Sequence, residues 1–327
     1  MKNVFLLTAA LSLAATTAYA RDNIQITGSS TVLPYATIVA EAFGENFDFP
    51  TPIVEGGGSG AGRKRLCEGV GTNTVDIANS SSKMKEEEWA ACEAAIGPIT
   101  EVRIGYDGIV FASRNENQGF NNLTPAHIYL AISARSTVTN WQEVDPSLPD
   151  REILVYIPGT KHGTREVFDI KVMEEGCKMV GTYDLIMRQN GGDAKAAAGE
   201  CVAVRTDGVA IDIDGDYTET LSRMETNTNG IGVFGLSFLL NNTSTLYAAT
   251  MNGVAASSET IASGEYPVSR PLYFYIKDAH LDVIPGLREY VQFFMSDEIA
   301  GPNGPLAEYG LVSDPEIAKT QEMLANK

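Results

Sequence analysis

The chain has 327 residues, 20% of them charged, and its 24 Lys and Arg against 42 Asp and Glu leave a net charge of -18. So acidic a balance lacks the basic footprint that nucleic-acid binding needs. No stretch approaches the roughly 20 consecutive apolar residues of a membrane-spanning helix, and the length is generous for one hydrophobic core and comfortable for two.

The first 20 residues combine Lys2, an apolar run from Val4 to Ala15, and Ala18-Tyr19-Ala20 ahead of Arg21. That is the layout of a secretory signal with a small-residue cleavage site. Residues 1–20 are expected to be removed, so that the mature chain begins at Arg21 and is exported. No Cys occupies the position that would take a lipid anchor.

From Ile24 to about Arg103, short apolar strands at 24–28, 51–55 and 75–79 alternate with helical segments at about 33–47, 61–69 and 85–95. This alternation predicts parallel βαβ units. The run Ile99 to Ser113 is too long for an ordinary strand and suits a crossing between two lobes. A second α/β set follows over roughly 120–250, with strands at 151–157, 202–204 and 231–234 and helices near 125–132, 164–176 and 217–226. Tyr266 to Ile276 reads as a second long crossing, followed by a helix over 285–296. Two crossings predict one lobe built from both chain ends, 21–104 and 271–327, and another from the middle, 105–270. That is the plan of a hinged receptor.

Three strand-to-helix turns carry the functional signal: Gly28-Ser29-Ser30-Thr31-Val32-Leu33-Pro34, Gly56-Gly57-Gly58-Ser59-Gly60-Ala61-Gly62, and His162-Gly163-Thr164-Arg165-Glu166. Each presents Gly, Ser or Thr where backbone N–H groups have no intrahelical partner and the helix dipole is positive. A tetrahedral oxyanion can be held there by neutral donors. The acidic surface does not forbid this, because salt screens distant charge beyond roughly 8–10 Å.

Four cysteines, Cys67, Cys92, Cys177 and Cys201, form two separated pairs with spacings of 25 and 24 residues. Four cysteines allow three connectivities, and export with local pairing favours Cys67–Cys92 and Cys177–Cys201. No C-x-x-C is present, so zinc or thiol redox chemistry is not indicated. Asp212, Asp214 and Asp216 alternate as in a calcium loop, but Tyr217 and Arg223 stand where such a loop needs Gly and Glu. The three histidines show no metal-ligand spacing. No cofactor is expected.

In order and spacing these segments, together with Val75-Asp76-Ile77-Ala78-Asn79-Ser80-Ser81, Gly105-Tyr106-Asp107-Gly108, Asn229 to Gly235 and the run from Tyr266 to Asp278, resemble the periplasmic phosphate-binding proteins of ABC transporters. The resemblance covers nearly the whole mature chain. It implies an α/β, two-lobed type II periplasmic-binding-protein fold with two hinge crossings. It implies further that Thr31 gives its hydroxyl and Val32 its backbone N–H to phosphate with Ser30 close by, that Ser59 is the donor at the next turn, and that Gly163 and Thr164 donate from the second lobe, with His162 beside them.

Two positions depart from the family. Many members carry an Asp where this chain has Ser81, and an Arg where it has Pro158. Asp107 in the first crossing is the expected proton acceptor instead, and Arg165 the expected cation. The reading is a non-enzymatic periplasmic receptor, acting as a monomer, that captures inorganic phosphate and delivers it to membrane ABC permease subunits. A receptor for sulfate or arsenate and a secreted phosphatase are the alternatives. The phosphatase lacks a nucleophile-elbow motif and an identifiable acid to orient His162.

Overall fold

In the computed structural model, residues 21–160, 164–214 and 217–327 are described. The expected leader, 1–20, and two expected ligands, His162 and Gly163, lie outside them. Ten strands are present among the described residues: β1 Gln25–Gly28, β2 Ile53–Glu55, β3 Ile77–Ser80, β4 Ile99–Arg114, β5 Val155–Pro158, β6 Ala210–Ile213, β7 Ile231–Gly235, β8 Leu246–Ala248, β9 Ser269–Lys277 and β10 Leu311–Val312. They join in the order β2-β1-β3-β9-β4-β7-β5-β6, with β8 and β10 both added to β4.

The N-terminal βαβ units give parallel pairs, β1 with β2 and β1 with β3. The middle segment gives a second parallel set, β5 with β6 and β5 with β7. Between the two sets, β4 pairs antiparallel with β9 from Ile99 to Gly108 and then turns to β7 from Ile109 onward. One 16-residue strand therefore belongs to both halves. Its ladder is interrupted between Arg103 and Gly105, where Gly105 has φ +146° and a Cβ would meet the Val312 carbonyl oxygen at 2.5 Å. Only glycine fits this bend in the crossing.

Two large cores match this division. One gathers Trp141, Phe111, Phe168, Phe234 and their neighbours, almost wholly from residues 106–268. The other gathers residues from both chain ends around Phe43, Phe274 and Phe294. The helix Leu33–Asn46 buries Tyr35, Ala36, Val39, Ala40 and Phe43 as one stripe. Phe43 there meets Phe47, Phe49, Tyr290 and Phe293 with ring centroids 4.6–6.0 Å apart. Each such pair contributes roughly 0.5–1.5 kcal/mol beyond area burial, so the C-terminal half of this helix is anchored on the core.

Both local disulfides are formed, Cys67–Cys92 and Cys177–Cys201. The strand expected at 202–204 is not present: Val204 makes a single bridge to Ser133, and the strand is Ala210–Ile213. Cys201 ends the helix Ala194–Cys201 and is tied by its disulfide to Cys177, and the following residues bond the 132–134 stretch, with Ala134 N–H donating to the Ala203 carbonyl at 2.8 Å and Arg205 N–H to the Ile132 carbonyl at 3.0 Å. No described helix is long and apolar enough to cross a membrane.

Candidate functional site

Backbone contacts bring the first two turns together. Ser29 N–H donates to the Asn79 carbonyl at 2.9 Å, and Gly58 N–H donates to the Gly28 carbonyl at 2.8 Å. The packing leaves no room for side chains: a Cβ on Gly62 would lie 2.5 Å from the Gly28 Cα, and one on Gly28 would lie 2.1 Å from the Asn79 carbonyl oxygen. The glycines of the second motif thus let the helix Ser59–Leu66 sit against the first turn. Ser59 and Ser81 then meet, with Oγ atoms 3.1 Å apart and the Ser81 N–H donating to Ser59 Oγ at 3.0 Å.

At the first turn Ser30 is exposed and Thr31 and Val32 are buried. Ser29 Oγ accepts from Thr31 N–H at 3.2 Å and from Val32 N–H at 3.3 Å. The Val32 N–H expected to serve an anion is therefore already engaged by Ser29 through a long bond. Thr31 Oγ1 carries the contacts that define the site: it donates to Glu166 Oε2 and accepts from Arg270 Nη2 at 2.7 Å. Arg270 Nη2 also donates to Glu166 Oε2 at 3.0 Å.

Asp107 stands directly opposite Arg270 in the β4–β9 ladder. It is 1% exposed, and among the described residues neither of its carboxylate oxygens accepts a hydrogen bond. Its Oδ2 is 3.8 Å from Arg270 Nε, which likewise makes no hydrogen bond among the described residues. Burial pushes the Asp107 carboxyl up to about 6, against the pull of Arg270 and with a further push from Glu166. Tyr35 and Tyr217 lie close enough to feel its charge, and burial raises both phenols. Tyr217 OH is 3.5 Å from Thr164 Oγ1, which links the third turn to the same region.

Arg165 is engaged away from Thr31 and Asp107. Its guanidinium donates to Asp169 at 2.7 Å, to Asp212 at 2.5 Å and to the Pro158 carbonyl at 3.1 Å. Two carboxylates already match its charge and its fork of donors. The cation beside Thr31 and Asp107 is Arg270, four residues into the run from Tyr266 that carries the resemblance. An arginine inside a buried crossing strand, on a chain whose other crossing holds a buried aspartate, was the signal available for it. Glu166, Tyr35 and Tyr217 had no such signal, because only the folded turns place them here. Among the described residues no group of His, Cys, Asp and Glu is arranged to hold a metal ion.

Residues 13–298 match the family model of the PBP superfamily domain. This chain belongs to that superfamily. It is 28% identical over 312 residues to protein SphX of Synechococcus elongatus, covering 92% of this chain and 81% of the relative. It is 26% identical over 304 residues to the phosphate-binding protein PstS of Staphylococcus haemolyticus, covering 90% and 82%. The crystal structure of a possible phosphate binding protein from Planctomyces limnophilus superposes with a TM-score of 0.70 at 25% identity, over 93% of this chain and 98% of that one. An ABC-type phosphate transport receptor from Vibrio cholerae shares the fold, with a TM-score of 0.56 at 21% identity over 88% and 99% of the two chains.

Proposed function

We propose that the protein is an exported receptor that captures inorganic phosphate between two lobes, 21–104 with 271–327 and 105–270, and hands it to an ABC permease. It is a solute receptor and not an enzyme. The observation that carries the reading is the buried Asp107 carboxylate with two unengaged acceptor oxygens, facing the Arg270 guanidinium beside the Thr31 turn. A carboxylate in that place favours an oxyanion that still owns a proton; hydrogenphosphate has one to donate and sulfate has none.

Arg270 supplies the positive charge, in the role the sequence reading gave to Arg165. Thr31, Ser59 and the turn at Thr164 supply neutral donors, with Ser30, Val32 and Ser81 on the first turns and His162 and Gly163 next to Thr164 in sequence. Closure of the lobes about β4 and β9 would exclude water and strengthen each of these bonds. The relatives SphX and PstS and the Planctomyces structure support the ligand class, since two of the three carry phosphate binding in their names.

Calorimetric titration of the purified mature protein with inorganic phosphate, after unfolding and refolding to strip bound anion, tests the reading. One-to-one binding is expected. An absence of phosphate binding in refolded protein with native circular dichroism sinks it.

A further inference from the structure

Glu166 does something that none of the readings above use. Its carboxylate holds the same two donors that the receptor reading assigns to the oxyanion, the Thr31 hydroxyl and Arg270 Nη2. The contact joins residues 135 apart in the chain, one on the first turn after β1 and one on the helix Thr164–Phe168 that follows β5. We propose that Glu166 is a tethered anion that latches the two lobes together on the ligand's own donors and competes with the incoming oxyanion for them.

This inference rests on the phosphate-receptor reading. Two features fit a latch better than a permanent ligand. The Glu166 side chain is 46% exposed, while that of Arg270 is 9% exposed, so the carboxylate sits at the rim and can swing into water without crossing the core. The two carboxylates that flank Arg270 also differ in base strength. Burial alone would raise the Glu166 carboxyl, but the Arg270 charge and the bonds from Thr31 and Arg270 outweigh it and leave it below the usual range. Asp107 is displaced in the opposite direction. Of a pair split in this way, the stronger base is the proton acceptor and the weaker one is an anion that is simply held. An oxyanion that takes the Thr31 and Arg270 donors must therefore meet a second negative charge unless Glu166 leaves.

The test is calorimetric titration of the mature protein and of Glu166→Gln with inorganic phosphate, with thermal melts of both as a folding control. Glu166→Gln keeps the shape and removes the charge, and it is expected to bind phosphate at least tenfold more tightly. Glu166→Asp, which keeps the charge on a side chain one methylene shorter, should fall between the two. Equal or weaker phosphate binding by folded Glu166→Gln, with the wild type binding, overturns the latch and leaves the receptor reading intact. Binding by Glu166→Gln alone supports the latch, and binding by neither protein overturns both.

Discussion

Asp107 and Arg270 face each other across β4 and β9, one on each strand that crosses between the lobes, with Arg270 Nε 3.8 Å from Asp107 Oδ2. The charged pair is therefore built into the two strands that run through the middle of the sheet. On the receptor reading, an anion held there would touch both of these strands.

Arg270 and Arg165 should behave differently. Arg270→Lys keeps the charge but loses the planar fork that sets Nη2 on Thr31 and Glu166 while Nε faces Asp107. Bonds to charged groups are worth roughly 1.5–3 kcal/mol, so phosphate affinity should fall at least tenfold in titration. Arg165→Ala should leave affinity within about threefold of wild type and lower thermal stability, because Asp169 and Asp212 lose their partner.

The Thr31 hydroxyl is buried and bridges Arg270 to the opposite lobe. Thr31→Val preserves the shape and removes the only hydroxyl in that contact. A loss of roughly tenfold or more in phosphate affinity is expected, from the same energy of a bond to a charged group. Ser59→Ala should cost less, since Ser59 shares its bonds with Ser81. An unchanged affinity in Thr31→Val would show the first turn to be scaffolding.

Asp107 should also write a pH dependence into stability. Its carboxyl lies at about 6 in the folded protein against an ordinary 3.8, so between these values the folded state binds the proton more tightly than the unfolded one. Stability contributed by protonated Asp107 is then present at low pH and lost as pH rises through about 4 to 6, by up to about 3 kcal/mol. Asp107→Asn should remove that loss, so it should be more stable than wild type at pH 7 and nearly equal to it at pH 4. Chemical denaturation at the two pH values reads the difference.

In the half of the structure that holds β1 and β3, Arg21 closes a buried cluster. Its guanidinium bonds the Asp76 carboxylate and the carbonyls of Thr72 at 2.7 Å and Thr74 at 3.0 Å, and Asp76 also engages His280 at 2.6 Å. Breaking a buried ion pair costs roughly 3–5 kcal/mol, and the His280 contact retains part of it. Arg21→Ala should lower stability by about 2–3 kcal/mol by denaturation, with phosphate affinity unchanged.

Much of the fold is legible in the sequence. The long apolar runs announced β4 and β9 because few sequences need 16 residues in one strand, and paired cysteines at close spacing announced both disulfides. The glycines of the second motif read only as an anion-binding turn, and the close approach of Gly62 to Gly28 emerged with the fold. The placement of Arg165 and of Arg270 was not readable. Arg165 is adjacent to the motif in sequence, but its helix turns it toward Asp169, four residues on, and toward Asp212 on β6. Arg270 reaches Thr31 across 239 residues, through antiparallel pairing whose register depends on the bend at Gly105. Strand 202–204 failed for a related reason: Val202 and Val204 have the right propensity, but the disulfide and the helix ending at Cys201 fix their surroundings.

The central claim is that Asp107 selects an oxyanion that can donate a proton, and the ratio of phosphate to sulfate affinity in wild type and Asp107→Asn tests it most directly. Wild type should prefer phosphate by at least roughly a hundredfold, about 2.7 kcal/mol. Asp107→Asn can donate where the carboxylate could only accept, and it should weaken phosphate and cut that ratio at least tenfold. Equal affinity of wild type for the two anions, or a ratio that Asp107→Asn leaves unchanged, would contradict the account.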